Sequence, residues 1–268
     1  MRSNTLNCIM FAGMVLLSAS CGRGEWPADN DVRISWDRST FTEMKSVNVQ
    51  NAGFVEENLY YPRIKRLSDG VLLMSFENDH FGWDIYVRRS EENGKTWSDA
   101  TLVVKSAPAT SSVGEDTKVY VNPDFIQLAD GRILLAYQWR YKKGYNDLAN
   151  TNNNCGIEVV FSSDGGRTFT EPVEVYRGRC WEPAMLQLPS GEIQMYITSS
   201  QELIDKMSAP QTVVIRSFDN GKTWQGKECC GIDDNEVISR TVDSRSTYDG
   251  MPSGVWLNDN NGIAVPME

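Results

Sequence analysis

Histidine is almost missing from this sequence: His80 is the only one among 268 residues. That scarcity excludes a histidine-built metal centre, and the six cysteines (8, 21, 155, 180, 229 and 230) follow no zinc-ligand spacing. No metal is therefore expected, and nothing in the sequence implies an organic cofactor. Basic charge is also short, with 26 Lys and Arg against 36 Asp and Glu and a net charge of −10. An acidic surface argues against nucleic acid and against electrostatic docking on anionic membranes, and leaves neutral glycans open as partners. Helical periodicity is nearly absent; only 200–208 ("SQELIDKMS") has room for a turn or two. Long apolar runs are lacking too, with one exception at the start of the chain.

That exception is "CIMFAGMVLL" (8–17), which follows Arg2 and precedes the small residues "SAS" and Cys21. It is too short and wrongly flanked for a spanning helix, and reads as a secretory leader over residues 1–20. A cysteine directly after small residues resembles a bacterial lipobox, although the usual leucine is displaced by one place to Leu17. Lipid on Cys21 would make this an envelope protein held to the membrane only by its acyl chains; plain secretion is the alternative. Removing residues 1–20 takes away Arg2 and no acid, leaving 25 basic against 36 acidic residues. Four cysteines remain beyond Cys21, and export permits one or two disulfides among them, although adjacent Cys229 and Cys230 rarely bond each other.

What the chain has in abundance is repetition. "SEENGKTW" (90–97), "SSDGGRTF" (162–169) and "SFDNGKTW" (217–224) are three versions of one octet. Asn220-Gly221 is a strong hairpin signal, because both central residues of a tight primed turn require positive φ. Asp219 can accept hydrogen bonds from the N–H groups of its own turn, and Trp224 supplies an apolar body to bury beneath it. Upstream of the octets lies a second element, present in "YPRIKRLSDGVLLMSFE" (61–77), "NPDFIQLADGRILLAYQ" (122–138), "EPAMLQLPSGEIQMYIT" (182–198) and "MPSGVWLNDNNGIAVPME" (251–268). Each runs from a proline through alternating apolar residues to a tight turn and a second alternating strand. The leucines before the turns, Leu67, Leu128, Leu188 and Leu257, are 61, 60 and 69 residues apart. A third strand, the octet hairpin and a fourth strand fill each interval. Four short strands at this period predict an all-β propeller of four-stranded antiparallel blades.

The octet resembles the Asp-box, or BNR repeat, of the sialidase superfamily, whose fold is a six-bladed propeller. The match at 217–224 is complete, 162–169 ends in Phe169, and 90–97 carries Glu92 in place of aspartate. The leader (1–20) is thus followed by an N-terminal segment (21–55), and the resemblance covers the propeller (56–268). At about 60 residues per blade a closed ring needs ~360 residues, so about four of six blades are expected here. It also implies that the octets lie on the rim away from the active site, so that Asp164 and Asp219 are staples and not catalytic residues.

In this superfamily ligands bind where the innermost strands begin, and the resemblance assigns candidates there. Arg63 is similar to the arginine that grips a substrate carboxylate, though the proline that should follow Arg-Ile stands in front, as Pro62; a structural ion pair is its plain alternative. Asp79, in "ENDHFGWD", occupies the place of the general acid/base, a role that needs a carboxyl group able to give and retrieve a proton. His80 beside it is a candidate substrate contact, and Asp84 reads as a strand-entry residue. Glu182, next to Trp181, matches the glutamate that activates a tyrosine nucleophile in sialidases and one carboxylate of the catalytic pair in exo-arabinanases. Asp124 is taken as its equivalent one blade earlier, with Asp249 or Glu268 contributing from the fourth. Trp83, Trp139 and Trp181 are candidate platforms for sugar rings.

The function implied is that of an exported, exo-acting glycoside hydrolase of the sialidase type, with a glycan as substrate and with catalytic Asp79 and Glu182. The missing second arginine in "QMYITSS" (194–200), together with Trp181-Glu182-Pro183, supports exo-arabinanase-like cleavage of neutral glycans instead. A surface lipoprotein that binds glycans without cleaving them is the reading from another class. The resemblance places the tyrosine nucleophile and a third arginine in later blades, so the 268-residue chain is expected to be inactive and a form completed to six blades active.

Overall fold

The computed structural model describes residues 47–48, 55–56, 59–79, 83–200, 210–226, 237–240, 249–257 and 262–267. Strands β1 (Val47–Asn48) and β2 (Val55–Glu56) pair with each other ahead of the repeats. The first repeat folds into an antiparallel sheet in chain order, β3 (Tyr60–Arg66), β4 (Leu72–Glu77), β5 (Ile85–Ser90) and β6 (Thr101–Val104). The second comprises β7 (Ala107–Ser111), β8 (Gly114–Gln127), β9 (Ile133–Tyr141), β10 (Cys155–Ser162) and β11 (Val173–Arg177). The third comprises β12 (Cys180–Gln187), β13 (Ile193–Ser199), β14 (Gln211–Ser217) and β15 (Val237–Arg240). Strands β16 (Val255–Leu257) and β17 (Gly262–Ala264) pair as the opening hairpin of a fourth. The protein is an all-β propeller with three built blades and part of another.

The second blade departs from the four-strand plan. Residues 114–118 of β8 pair with β7 before the strand turns its attention to β9, with Lys118 aligned to both Ala107 and Tyr141. The extra hairpin is closed at Gly114, whose φ of +96° suits the tight turn between Ser111 and Gly114.

Blade stacking explains the composition of β9. Its odd residues Ile133, Leu135, Tyr137 and Trp139 join the apolar cluster shared with the first blade, which includes Leu73, Val87 and Phe125. Its even residues Leu134 and Ala136 join the cluster shared with the third blade, around Met185, Met195 and Val213. A strand buried on both faces needs a continuous apolar run, not an alternating one, because successive side chains point to opposite sides. Each fully buried aliphatic side chain contributes about 1.5–3 kcal/mol of transfer free energy.

The three octets are hairpins between third and fourth strands, at the same end of the blades as the turns after Leu67, Leu128 and Leu188. In the third, Asn220 and Gly221 have φ of 59° and 84°, as the turn chemistry requires. Asp219 Oδ1 accepts from Lys222 N (3.0 Å) and Thr223 N (2.8 Å), and Thr223 Oγ1 donates to Oδ2 at 2.6 Å. Asp164 repeats the pattern with Arg167 N, Thr168 N and Thr168 Oγ1. Both aspartates are consumed by their own turns. The hairpins also clamp blade to blade: a Cβ on Gly221 would lie 3.1 Å from Phe161, and one on Gly166 3.0 Å from Leu73. At the inner strands Gln127 Oε1 accepts from Ser68 N (2.7 Å) and Gln187 Oε1 from Ala129 N (2.8 Å), one blade further round. Radial repetition therefore extends to individual hydrogen bonds.

Candidate functional site

The innermost strand of each built blade slips register by one bulge near its start: between Tyr60 and Arg63 in β3, Val121 and Asp124 in β8, and Trp181 and Ala184 in β12. At each bulge a non-glycine residue directly before a proline has positive φ: Tyr61 (49°), Asn122 (54°) and Glu182 (56°), and Met251 (48°) holds the same place before Pro252. Such backbone costs about 1–3 kcal/mol per residue and persists only where the surroundings impose it. Bulges re-aim side chains, and here they bring residues of separate blades together.

Glu182 is the meeting point. Tyr61, 121 residues away in the first blade, donates its hydroxyl to Glu182 Oε1 at 3.0 Å. Oε2 accepts from Thr198 Oγ1 (3.2 Å) and from the backbone N–H of Met251 (3.0 Å), which opens the fourth repeat. Burial, and then the charge of Glu182, push the Tyr61 hydroxyl up to about 12, so it holds its proton at neutral pH. The Arg63 guanidinium lies over the Tyr61 ring, 5.6 Å from its centroid.

A second carboxyl, absent from the sequence candidates, lies alongside. Glu77 closes β4 and is fully buried. Its Oε2 accepts from Asn122 N at 2.5 Å, while among the described residues its Oε1 has no hydrogen-bond partner. Burial pushes this carboxyl up to about 8; the Asn122 N–H, Arg140 and Arg63 pull against that rise, and Asp79 adds to it. Tyr61 thus joins Glu182, through its hydroxyl, to Arg63, through its ring.

Asp79 follows β4 at the mouth end and is half-buried. Asp124 needs correction. The register makes Asn122, not Asp124, the equivalent of Glu182; Asp124 is the counterpart of Arg63 and lies deeper in the strand. Its carboxylate is spent on Lys65 Nζ (2.7 Å) and Met185 N (2.9 Å), tying the first blade to the third. Trp139 is 2% exposed, between Lys118 (4.6 Å) and Arg177 (5.0 Å), and is no sugar platform. Trp181 is half-buried with Arg179 5.5 Å from its ring, and Trp83 carries Lys142 at 4.3 Å. Asp84 binds Ser106 N (2.7 Å) and Tyr86 Oη (3.1 Å), as a strand-entry residue does. Asp249 accepts from Ser239 Oγ (2.7 Å), on the fourth strand of the third blade. His80, Cys21, Cys229, Cys230, Glu268 and the 201–208 part of the possible helical turn lie outside the described residues. Cys155 and Cys180 are buried free thiols. No cluster of three metal-ligating side chains occurs among the described residues.

A cleft of about 690 Å³ opens at the opposite end, lined by residues such as Arg66, Ser68, Gln127, Gln187 and Trp256. Its walls are turns and the glutamine straps, without an acid, and the carboxylates of the mouth take no part in it.

No family model matches the chain. It is 25% identical over 205 residues to a sialidase of Micromonospora viridifaciens, covering 68% of this chain and 31% of that protein. It is 23% identical over 236 residues to a sialidase of Paraclostridium sordellii, covering 79% of this chain and 55% of that one. The chain thus spans about a third and about half of the lengths of these relatives. Among solved structures, the leech intramolecular trans-sialidase complexed with 2,7-anhydro-Neu5Ac superposes with a TM-score of 0.55 at 13% identity, over 78% of this chain and 47% of that one. Fold and sequence together support a sialidase-like superfamily of β-propellers for this chain.

Proposed function

We propose that this chain carries the site of an exported, exo-acting glycoside hydrolase that removes terminal sugars from glycans, as the sialidases it resembles do. The observation that carries the reading is Glu182, held in a strained conformation at the mouth and hydrogen-bonded across the ring to the Tyr61 hydroxyl. Glycosidic cleavage needs a nucleophile or base on one side of the anomeric carbon and a proton donor for the leaving oxygen. In this reading Glu182 takes the Tyr61 proton as the phenol oxygen attacks, a step that their 3.0 Å hydrogen bond supports, while Asp79 serves the leaving group and Arg63 orients an acidic substituent. A nucleophilic Tyr61 predicts turnover already by the 268-residue chain, whereas a hydroxyl from later blades predicts turnover only by the completed ring.

Export rests on the leader and Cys21; palmitate labelling lost in Cys21→Ser is the expected outcome, and labelling that survives the change removes the anchor. For the chemistry, hydrolysis of an aryl glycoside of N-acetylneuraminic acid should be measured on the 268-residue chain and on a form extended to a closed ring. Glu182→Gln keeps the shape of the side chain, turns one accepting oxygen into a donor and removes the charge, so kcat should fall about 100-fold or more. Wild-type turnover in that variant would take Glu182 out of the mechanism.

A further inference from the structure

We propose that Thr198 is a positioning residue of the mouth, whose hydroxyl fixes one carboxylate oxygen of Glu182 so that the other faces the Tyr61 hydroxyl. The three blades supply an internal comparison. Glu77, Gln138 and Thr198 occupy one position, each paired with the residue before its bulge: Tyr60, Val121 and Trp181. Each also straps its blade to the following one. Glu77 Oε2 accepts from Asn122 N (2.5 Å), Gln138 Nε2 donates to Cys180 O, and Thr198 Oγ1 accepts from Met251 N (3.1 Å). In the first two blades the other polar atom of the side chain, Oε1 of Glu77 and of Gln138, has no hydrogen-bond partner among the described residues. Threonine differs, because its hydroxyl makes the strap with a lone pair and still has a proton to give. Glu182 Oε2 receives that proton at 3.2 Å, within the same blade.

The neighbours settle which way the hydroxyl points. The Met251 N–H lies within reach of both Glu182 Oε2 (3.0 Å) and Thr198 Oγ1 (3.1 Å). A donor is therefore already aimed at the hydroxyl oxygen, and the hydroxyl's own proton turns to the carboxylate. The three contacts close a triangle of backbone N–H, hydroxyl and carboxylate oxygen. Thr198 is fully buried in β13, and its β-branch leaves χ1 little freedom, so the hydroxyl is held in place. The last torsion of a glutamate is broad when nothing restrains it. Two donors on Oε2 restrain it here, and Oε1 is presented to Tyr61 Oη at 3.0 Å. Packing alone would be served by valine, which has the shape of threonine and lacks only the hydroxyl.

This role deepens the glycosidase reading and rests on it for its catalytic consequence, but the positioning itself can be tested without a substrate. Crystal structures of the full chain should be compared for the wild type, Thr198→Val and Thr198→Ser. In Thr198→Val the Glu182 carboxyl group should turn, and its separation from Tyr61 Oη should open beyond about 3.5 Å, the limit of a hydrogen bond. In Thr198→Ser the wild-type separation should return. Thr198→Ala removes the same hydroxyl and should turn the carboxyl group likewise, which keeps the test decisive if the valine variant does not fold. A carboxyl group that keeps its place without the hydroxyl would overturn the proposal. With an aryl N-acetylneuraminide as probe, on the 268-residue chain or the closed ring, Thr198→Val should lower kcat about 10- to 100-fold and leave KM within about twofold. Serine should restore most of that loss. A threonine needed only for the strap would lower the urea midpoint and leave kcat of the folded protein unchanged, and that result counts against positioning, as does a serine that fails to rescue. If the carboxyl group turns and neither form cleaves the glycoside, the positioning stands and the hydrolase reading falls.

Discussion

Changing Glu77 to glutamine should alter how stability depends on pH, and the size of the effect follows from its burial. The carboxyl is fully buried and raised from 4.5 to about 8. A group whose pKa is raised by folding binds its proton more tightly in the native state. Its contribution is therefore complete below the unfolded value of 4.5 and is lost as pH rises toward 8. At about 1.4 kcal/mol per pH unit, the loss across that window is on the order of 5 kcal/mol. For a domain of this size, each kcal/mol moves Tm by about 2–4 °C. Between pH 4.5 and pH 8.5, the wild type should lose on the order of 10 °C more than Glu77→Gln, which has no proton to release. Glu158, also raised by burial, titrates in both proteins and cancels in the difference. Thermal unfolding followed by circular dichroism in matched buffers is sufficient. Parallel wild-type and variant curves across the window would show that Glu77 ionises normally in the folded chain, and the reasoning about the mouth would fail with it.

Gly156→Ala should be severely destabilising, because the new Cβ would lie 2.3 Å from Tyr176 O and 2.9 Å from Trp139 Nε1; overpacking of this kind costs about 1–3 kcal/mol or more, and an unchanged urea midpoint would contradict the packing. Asp219 is lowered to about 2, first by its bond from Thr223 Oγ1, so its support for the third hairpin is complete above the ordinary value of 3.8 and lost as pH falls toward 2. Asp219→Asn should flatten that acid limb in thermal melts, and an identical limb in the variant would refute the assignment.

Much of the fold was legible in the sequence because the repeat is written twice over, in the octets and in the leucine-anchored strand pairs. All three octets form hairpins, and the strands flanking them lie where the alternation places them. The fifth strand of the second blade was not legible, since "APATSSVGED" carries no strong apolar alternation and pairs mainly through its backbone. The free thiols of Cys155 and Cys180 also lie beyond sequence reasoning, because pairing depends on where blades put their strand starts. Arg63 and Glu182 both meet Tyr61, and Asp79 follows β4 in the same blade as Arg63. Asp124 misled because polar residues at strand starts were compared without allowing for a bulge, which displaces equivalence by two places.

The information needed to avoid that error was already in the spacing. Counting six residues back from each leucine gives Tyr61, Asn122, Glu182 and Met251; counting ten forward gives Glu77, Gln138 and Thr198. The first column shares one strained backbone despite four unrelated side chains, so the conformation is imposed by the blade and the side chain is left to chemistry. Of the four, only asparagine takes positive φ readily. Tyrosine, glutamate and methionine there incur local strain that no packing requirement of the column explains, because their shapes have nothing in common. The second column separates the two components of a single position: the strap to the next blade, which an amide or hydroxyl makes equally well, and the acid, which only the first blade has. That acid closes β4 in the blade that also supplies Tyr61, Arg63 and Asp79. Arg63, Glu77 and Asp79 of the first blade therefore depart together from the other blades, and the same blade sends Tyr61 to a glutamate whose carboxylate gathers donors from the first, third and fourth repeats.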